Sequence, residues 1–414
     1  MTEMYKTGAL MQRRDIFKAG AALVAGASLP NFAIAQPAQN RVLKMVPQAN
    51  LTSLDPIWTT ANITRNFGHM VFDTLYGMDA QFRPQPQMAA GHSSDDGGRS
   101  VTITLRPGLK FHDGEPVRAQ DVVPSLQRWM RRNPFGQKLA TVTDDIQVVD
   151  DMRLRFRLKK PFPLLFHALA QVSNSPAFIM PERLAKTDPF QQVTEFVGSG
   201  PMRFVRNEWV PGAKAVFTKF EQYVPRNEPP SWLAGGKRMG VERIEWIIMP
   251  DPATASAALM NGEIDWWETP LTDLIPSLRR NRNIRVDIAD PLGNIGSFRF
   301  NHLHAPFNDV RARRAVAMVL NQEDYMRAVV GDDRALWQTL PSFFTPGTPL
   351  YTEAGGDILK GARNIEAARA LLRESGYNGQ PITVLVGQDQ APLKAMGEVT
   401  NALLRSIGMN VDFV

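Results

Sequence analysis

The sequence predicts an α/β protein of more than one lobe, and three observations carry that expectation. The chain has 414 residues, 43% of them hydrophobic, which is enough for a sizeable core but longer than a usual single domain. Short runs of strict two-residue alternation recur along it, the pattern of half-buried strands. Other runs carry apolar residues at three- and four-residue spacing, opened by a capping residue and often closed by glycine, the pattern of amphipathic helices.

The N-terminal stretch is not part of the predicted fold. MQRRDIFKAGAALVAGASLPNFAIAQPAQ, residues 11–39, sets Arg13 and Arg14 before a weakly apolar run from Ala19 to Leu29, followed by Ala33-Ile34-Ala35. This is the layout of an export signal, with cleavage predicted after Ala35. The run is too short to span a bilayer, and the paired arginines with Phe17-Lys18 resemble a twin-arginine signal. An ordinary Sec signal or an N-terminal anchor is the alternative.

Strands come next. Val101, Ile103 and Leu105 alternate with Thr102 and Thr104, and Leu154, Phe156 and Leu158 alternate with Arg153, Arg155 and Arg157. Alternation puts the arginine row on the solvent face of its sheet. Helices follow: Asp251 caps and Pro252 opens one bearing Ala255, Ala258 and Leu259, stopped at Gly262. Asn308 or Asp309 caps another with Ala312, Ala315, Val316, Val319 and Leu320 on one stripe. Asn364 opens a third with Ala368, Leu371 and Leu372, closed by Gly376 and followed by a strand from Ile382 to Val386. The breaker-rich stretch 224–240 contains Trp232 and Leu233 and does not read as a flexible linker.

Composition excludes several classes. With no cysteine there is no disulfide, thiolate metal site or cysteine nucleophile. The formal charge of +6 is spread thinly and falls further once residues 1–35 are removed, so no nucleic-acid footprint exists. His112 beside Asp113 suggests an acid-base pair, but neighbours on an extended chain point apart, and Pro107-Gly108 and Asp113-Gly114 are turn dipeptides. A turn is therefore expected there. Ser199, in VGSGPM, lacks the strand-elbow-helix setting of a nucleophilic serine, and its glycines suit a crossing or turn between lobes. His302 and His304 suit a metal only if a third ligand comes from elsewhere, and a surface or loop pair is expected. Trp58, Trp266 and Trp267 are candidate stacking residues for a ligand, although Trp266 and Trp267 face opposite sides of any strand. No catalytic residue, cofactor or metal is assigned.

The hairpin text LKFHDGEPVRAQDV (109–122) also resembles a signature of the extracellular solute-binding proteins of peptide type, the dipeptide- and oligopeptide-binding components of bacterial ABC importers. Seven further landmarks follow the family's order: SLDP (53–56), VFDTLYG (71–77), GSGPMRFV (198–205), ALMNGEIDW (258–266), APFNDVRARRAV (305–316), ARALLRESGY (368–377) and LLRSIGMNVDF (403–413). The resemblance implies a two-lobed, periplasmic-binding-protein-like fold of class II with an extra α+β domain. Lobe I would comprise 41–77 and 190–290, the extra domain 78–189, and lobe II 291–414. It also implies a periplasmic, monomeric carrier that encloses a peptide-like solute between its lobes and delivers it to a membrane permease. Carriage of a metal chelate, opine, glutathione or oligosaccharide is the alternative; an envelope hydrolase is a weaker one.

For the site, the resemblance implies backbone pairing of Thr60, Ala61 and Asn62 with an extended ligand. It also points to the loop after the Ile382–Val386 strand, where dipeptide-type relatives offer an arginine. Here that loop carries Gln388, and residues 387–393 contain no arginine or lysine, so dependence on a ligand carboxylate is expected to be weak. Two departures stand out. Arg118 replaces the usual Ser or Thr cap, and Pro124 falls inside the next helix, which is expected to kink or start late. The strand signal MNVDFV reaches the last residue, whereas the family continues with a segment that bears the carboxylate for a peptide's amino group. On that reading lobe II is incomplete, its apolar surface is exposed, and the 414-residue chain alone aggregates and fails to bind.

Overall fold

In the computed structural model, residues 41–173, 175–388 and 390–414 are described. The export-signal reading, with its cleavage point after Ala35, lies outside them. They form four hydrophobic clusters around three main assemblies of secondary structure.

The first assembly is a five-stranded mixed sheet in the order Met202–Phe204, Lys214–Lys219, Arg243–Ile247, Val42–Val46, Trp266–Trp267. Val42–Val46 runs parallel to both neighbours, pairing Met45 with Trp246 on one side and Trp266 on the other. One face of the sheet packs on the Asn62–Val71 helix through Phe67, Phe72, Phe217 and Trp246. A smaller cluster joins Val46 and Trp267 to Ala255 and Ala258 of the Pro252–Met260 helix, whose Asp251 accepts the N–H of Thr254 as expected of a cap.

The second assembly is an antiparallel sheet in the order Ala89–Asp95, Ser100–Leu105, Arg153–Leu158, Thr143–Asp150. Val101, Ile103, Leu154 and Phe156 face the Ala119–Arg132 helix and its fully buried Trp129, and each such side chain stabilises the fold by about 1.5–3 kcal/mol. The arginine row takes the opposite face, where Arg153 pairs with Asp150 and Arg155 donates to Thr102 Oγ1. Arg118 does not delay the helix: it begins at Ala119 and continues through Pro124 to Arg132. The reason is a substitute cap. Asp121 Oδ2 accepts the Arg118 N–H at 2.9 Å, and its Oδ1 accepts the Glu182 N–H at 2.9 Å.

The third assembly holds the helices Val310–Val319, Gln322–Val330, Ile365–Glu374 and Ala391–Ser406 against a parallel pair, Ile382–Val384 with Val411–Phe413. Its core is Ala312, Ala315, Val316, Ala368, Leu372 and Leu404. Asp309 and Asn364 cap their helices as the spacing predicts. The assigned strand ends at Val384, although its pairing continues as expected to Val386, whose N–H donates to the Val414 carbonyl at 2.9 Å.

Candidate functional site

In sheets with parallel strands, ligands sit beyond the strands' carboxyl ends. In the mixed sheet that edge is reached by the segment joining Val42–Val46 to the Asn62–Val71 helix, which includes Leu54-Asp55-Pro56 and the predicted contacts Thr60, Ala61 and Asn62. The segment is built on a buried ion pair. Arg128 Nη1 and Nη2 donate to Asp55 Oδ1 and Oδ2 at 3.2 and 2.7 Å, and the two side chains are 2% and 0% exposed. Asp55 also accepts the N–H groups of Ile57 and Val193. Arg128 spends further donors on the carbonyls of Thr187 and Gln191. Charges this deep persist only when their hydrogen bonds are satisfied, and these are.

Beyond Asp55 the segment stays pinned. Arg132 Nη2 donates to the Trp58 carbonyl at 3.0 Å, and its guanidinium lies 4.9 Å from the Trp58 ring and 5.3 Å from that of Phe190. Trp58 thus supports Arg132. Thr60, Ala61 and Asn62 are exposed at the helix start. Ala61 is extended, with φ −61° and ψ 131°, and donates its N–H to Thr59 Oγ1 at 3.2 Å. Among the described residues neither the N–H nor the C=O of Thr60 has a hydrogen-bond partner in the chain. An exposed, unpaired backbone step beside an extended residue is suited to strand-like pairing with a guest chain.

The same edge carries groups that sequence reading passed over. Glu268, just after Trp267, accepts the Gln48 N–H at 2.9 Å and the Asn66 amide at 3.4 Å. Arg65, one residue earlier on that helix, has no hydrogen bond or ion pair from its guanidinium among the described residues. Burial lowers its pKa, and the nearby Glu268 carboxylate opposes that shift. The helical spacing of Asn62, Arg65 and Asn66 is the only sequence signal for this face. Of the tryptophans here, Trp267 belongs to the core and Trp266 is 47% exposed.

The remaining predicted residues lie elsewhere. Gln388 is exposed in the turn after Ile382–Val384, and no hydrogen bond joins it to Thr60, Ala61 or Asn62. His302 and His304 are exposed loop residues, and no group of three or more His, Asp or Glu among the described residues is placed to hold a metal. Ser199 Oγ is buried without a partner. The glycines beside it allow a close crossing: a Cβ on Gly198 would stand 1.9 Å from the Val71 carbonyl oxygen, and one on Gly200 2.6 Å from that of Met70.

His112 clamps this crossing. The Gly198 N–H reaches its Nδ1 at 3.4 Å, which makes Nδ1 the acceptor and leaves the proton on Nε2, which donates to the Gly200 carbonyl at 3.0 Å. Burial pushes its pKa down to about 4, only partly offset by the Gly200 carbonyl. Around it the chain turns as predicted, with Gly114 at φ 95° and its N–H on the Phe111 carbonyl.

With the geometry described, likeness to known proteins can be placed beside it. A "probable peptide ABC transporter periplasmic-binding protein" of Sinorhizobium fredii is 37% identical over 413 residues, covering 97% of this chain and 76% of the relative. A dipeptide-binding protein of Bacillus subtilis, DppE, is 25% identical, with 91% and 70% covered. Among solved structures, the ABC transporter-associated periplasmic binding protein DppA of Helicobacter pylori, in complex with the peptide STSA, superposes with a TM-score of 0.73 over 91% of this chain and 74% of that one. At 22% identity this likeness establishes the α/β periplasmic-binding-protein fold. The description of the bacterial extracellular solute-binding proteins, family 5 (Middle), matches residues 83–414, and the chain belongs to that family.

Proposed function

We propose that this protein captures a peptide or peptide-like solute between two lobes and delivers it to the membrane permease of an ABC importer. In this reading lobe I is 41–77 and 190–290, the extra domain is 78–189, and lobe II begins at 291. The separate core of 307–411 supports a boundary near 291, whereas the other two cores interlock, with Phe178, Met180 and Leu184 packed in the core of the mixed sheet and Ile57 and Leu75 in that of the antiparallel one. The observation that carries the ligand class is the exposed, unpaired backbone of Thr60 next to extended Ala61. It recognises a main chain while tolerating any side chain, which is what a peptide carrier requires. The 37% identical relative, described as a probable peptide carrier, points the same way. Thr60, Ala61 and Asn62 form one wall of the site and Gln388 contributes from the other.

Binding without turnover belongs to the same reading. Ser199 Oγ is sealed and has no base, since both nitrogens of His112 are engaged by backbone groups. The carrier is periplasmic, exported by the Arg13-Arg14 signal, and works as a monomer. Among the described residues no helix is long and apolar enough to cross a membrane.

Native mass spectrometry of protein purified without denaturation tests the ligand class, because enclosed clefts retain cellular ligand. A retained mass that fragments as peptide supports the proposal. A retained metal chelate, opine or sugar overturns it in favour of the alternative carriers.

A further inference from the structure

Ser175 is buried at 6% exposure, yet its φ is 60°, the left-handed region that costs a non-glycine residue about 1–2 kcal/mol. Such strain persists only where the surroundings over-determine it, and it is often concentrated at working sites. Here the surroundings are explicit. The Ser175 carbonyl accepts Trp129 Nε1–H at 2.8 Å and the Asn133 amide at 3.1 Å, both from the end of the helix that forms the core of the 78–189 region. Held in this way, Ser175 directs its hydroxyl across to the Thr59 carbonyl at 3.0 Å.

That bond is the third of a series. Arg128 holds the Asp55 carboxylate, Arg132 holds the Trp58 carbonyl and ring, and Ser175 holds the Thr59 carbonyl. Arg128, Trp129, Arg132 and Asn133 all lie at or just beyond the C-terminal end of one helix, and the first free backbone step after the series is Thr60. The helix end acts as a rigid comb, and the left-handed turn at Ser175 supplies its last tooth.

We infer that Ser175 and Arg132 are positioning residues for ligand capture: the extra domain holds Asp55–Thr59 so that the Thr60–Asn62 backbone is shaped for a ligand before one arrives. Preorganisation of this kind raises affinity by lowering the ordering cost of binding. The role gives the extra domain a task in recognition although none of its side chains need touch the solute. Its ligand half rests on the function proposed above, whereas its structural half does not.

Ser175→Gly separates the two contributions of the residue. Glycine accepts φ 60° without strain, so the variant keeps the turn while removing the hydroxymethyl group and with it the bond to Thr59. The primary readout is hydrogen–deuterium exchange of the segment 57–64. We expect exchange there to quicken at least tenfold in Ser175→Gly and in Arg132→Ala, with the thermal midpoint of Ser175→Gly kept or raised. Unchanged exchange in both loosening variants overturns the clamp. The second readout is affinity for a mixed tri- and tetrapeptide library, which should fall at least fivefold in both variants. Faster exchange with unchanged affinity overturns the positioning role. If the full-length parent protein binds no peptide, the proposed ligand class fails while the exchange experiment still decides the clamp.

Discussion

The two loops assigned to the ligand are held in opposite ways. Asp55–Asn62 is tied to a neighbouring helix by a buried ion pair, a stacked arginine and a strained serine, and among the described residues only Thr60 near its end has neither backbone group paired. The loop after Ile382–Val384 has Leu385 79% exposed and Gln388 without a side-chain hydrogen bond among the described residues. A carrier that recognises main chain but accepts varied side chains needs this division of labour. On the proposed reading, one wall is fixed in advance to pair with backbone, and the other is left to adapt.

The largest expected effect falls on the fixed wall. Asp55→Ala strands Arg128 as a buried charge, and removing one partner of such a pair costs about 3–5 kcal/mol. Gln388→Ala, on the exposed loop, is expected to change stability by no more than about 0.5 kcal/mol. Denaturant midpoints of the two variants measure the contrast directly, and equal losses would erase it.

Acid provides the second probe. The neutral form of His112 is the one the fold requires, and its pKa is pushed down to about 4 while an unfolded histidine titrates near 6.5. Below pH 6.5 the unfolded chain therefore binds the extra proton, so this stabilisation is complete above pH 6.5 and declines as pH falls towards 4. Its total is about 3 kcal/mol. His112→Ala should start less stable, show a flatter profile across that window, and leave peptide affinity within a few-fold. A hundredfold loss of affinity at unchanged stability would make His112 a ligand contact.

The adaptable wall gives the smaller effects. Residues 387–393 hold no arginine or lysine, so amidating the carboxylate of a dipeptide such as Met-Leu should weaken binding less than tenfold, about 1.4 kcal/mol. A larger loss would require another cation to meet the carboxylate, and Arg65, unpaired on the opposite wall, is the group to substitute next. Smallest of all, Gln388→Ala should cost about 1 kcal/mol of affinity, the worth of one neutral hydrogen bond, measured by calorimetry.

What the sequence revealed follows from the range of each interaction. Caps at Asp251, Asp309 and Asn364, the turn at Gly114 and the alternating faces of Ser100–Leu105 and Arg153–Leu158 are local and were legible. Gly198 and Gly200 read as a crossing or turn between lobes, and the structure places them in close approach to the end of the Asn62–Val71 helix. The Asp55–Arg128 pair spans 73 residues and Ser175–Thr59 spans 116, and no periodicity links such positions. Trp58 shows the limit most plainly: the same ring suits a ligand or an arginine, and only the fold shows that Arg132 takes it. At Arg118 the expected defect was repaired by Asp121, whose second bond to Glu182 comes from another part of the chain.

The central claim is that this protein binds peptides and leaves them intact. A mixed tri- and tetrapeptide library titrated into the purified full-length protein tests it, with the thermal midpoint followed at each concentration and the library analysed by mass afterwards. The account predicts a midpoint that keeps rising with the logarithm of concentration above saturation, as binding to the folded state requires, and a library recovered unchanged. A midpoint that stays fixed at every concentration, or peptides cleaved by the parent protein but not by Ser199→Ala, would contradict it.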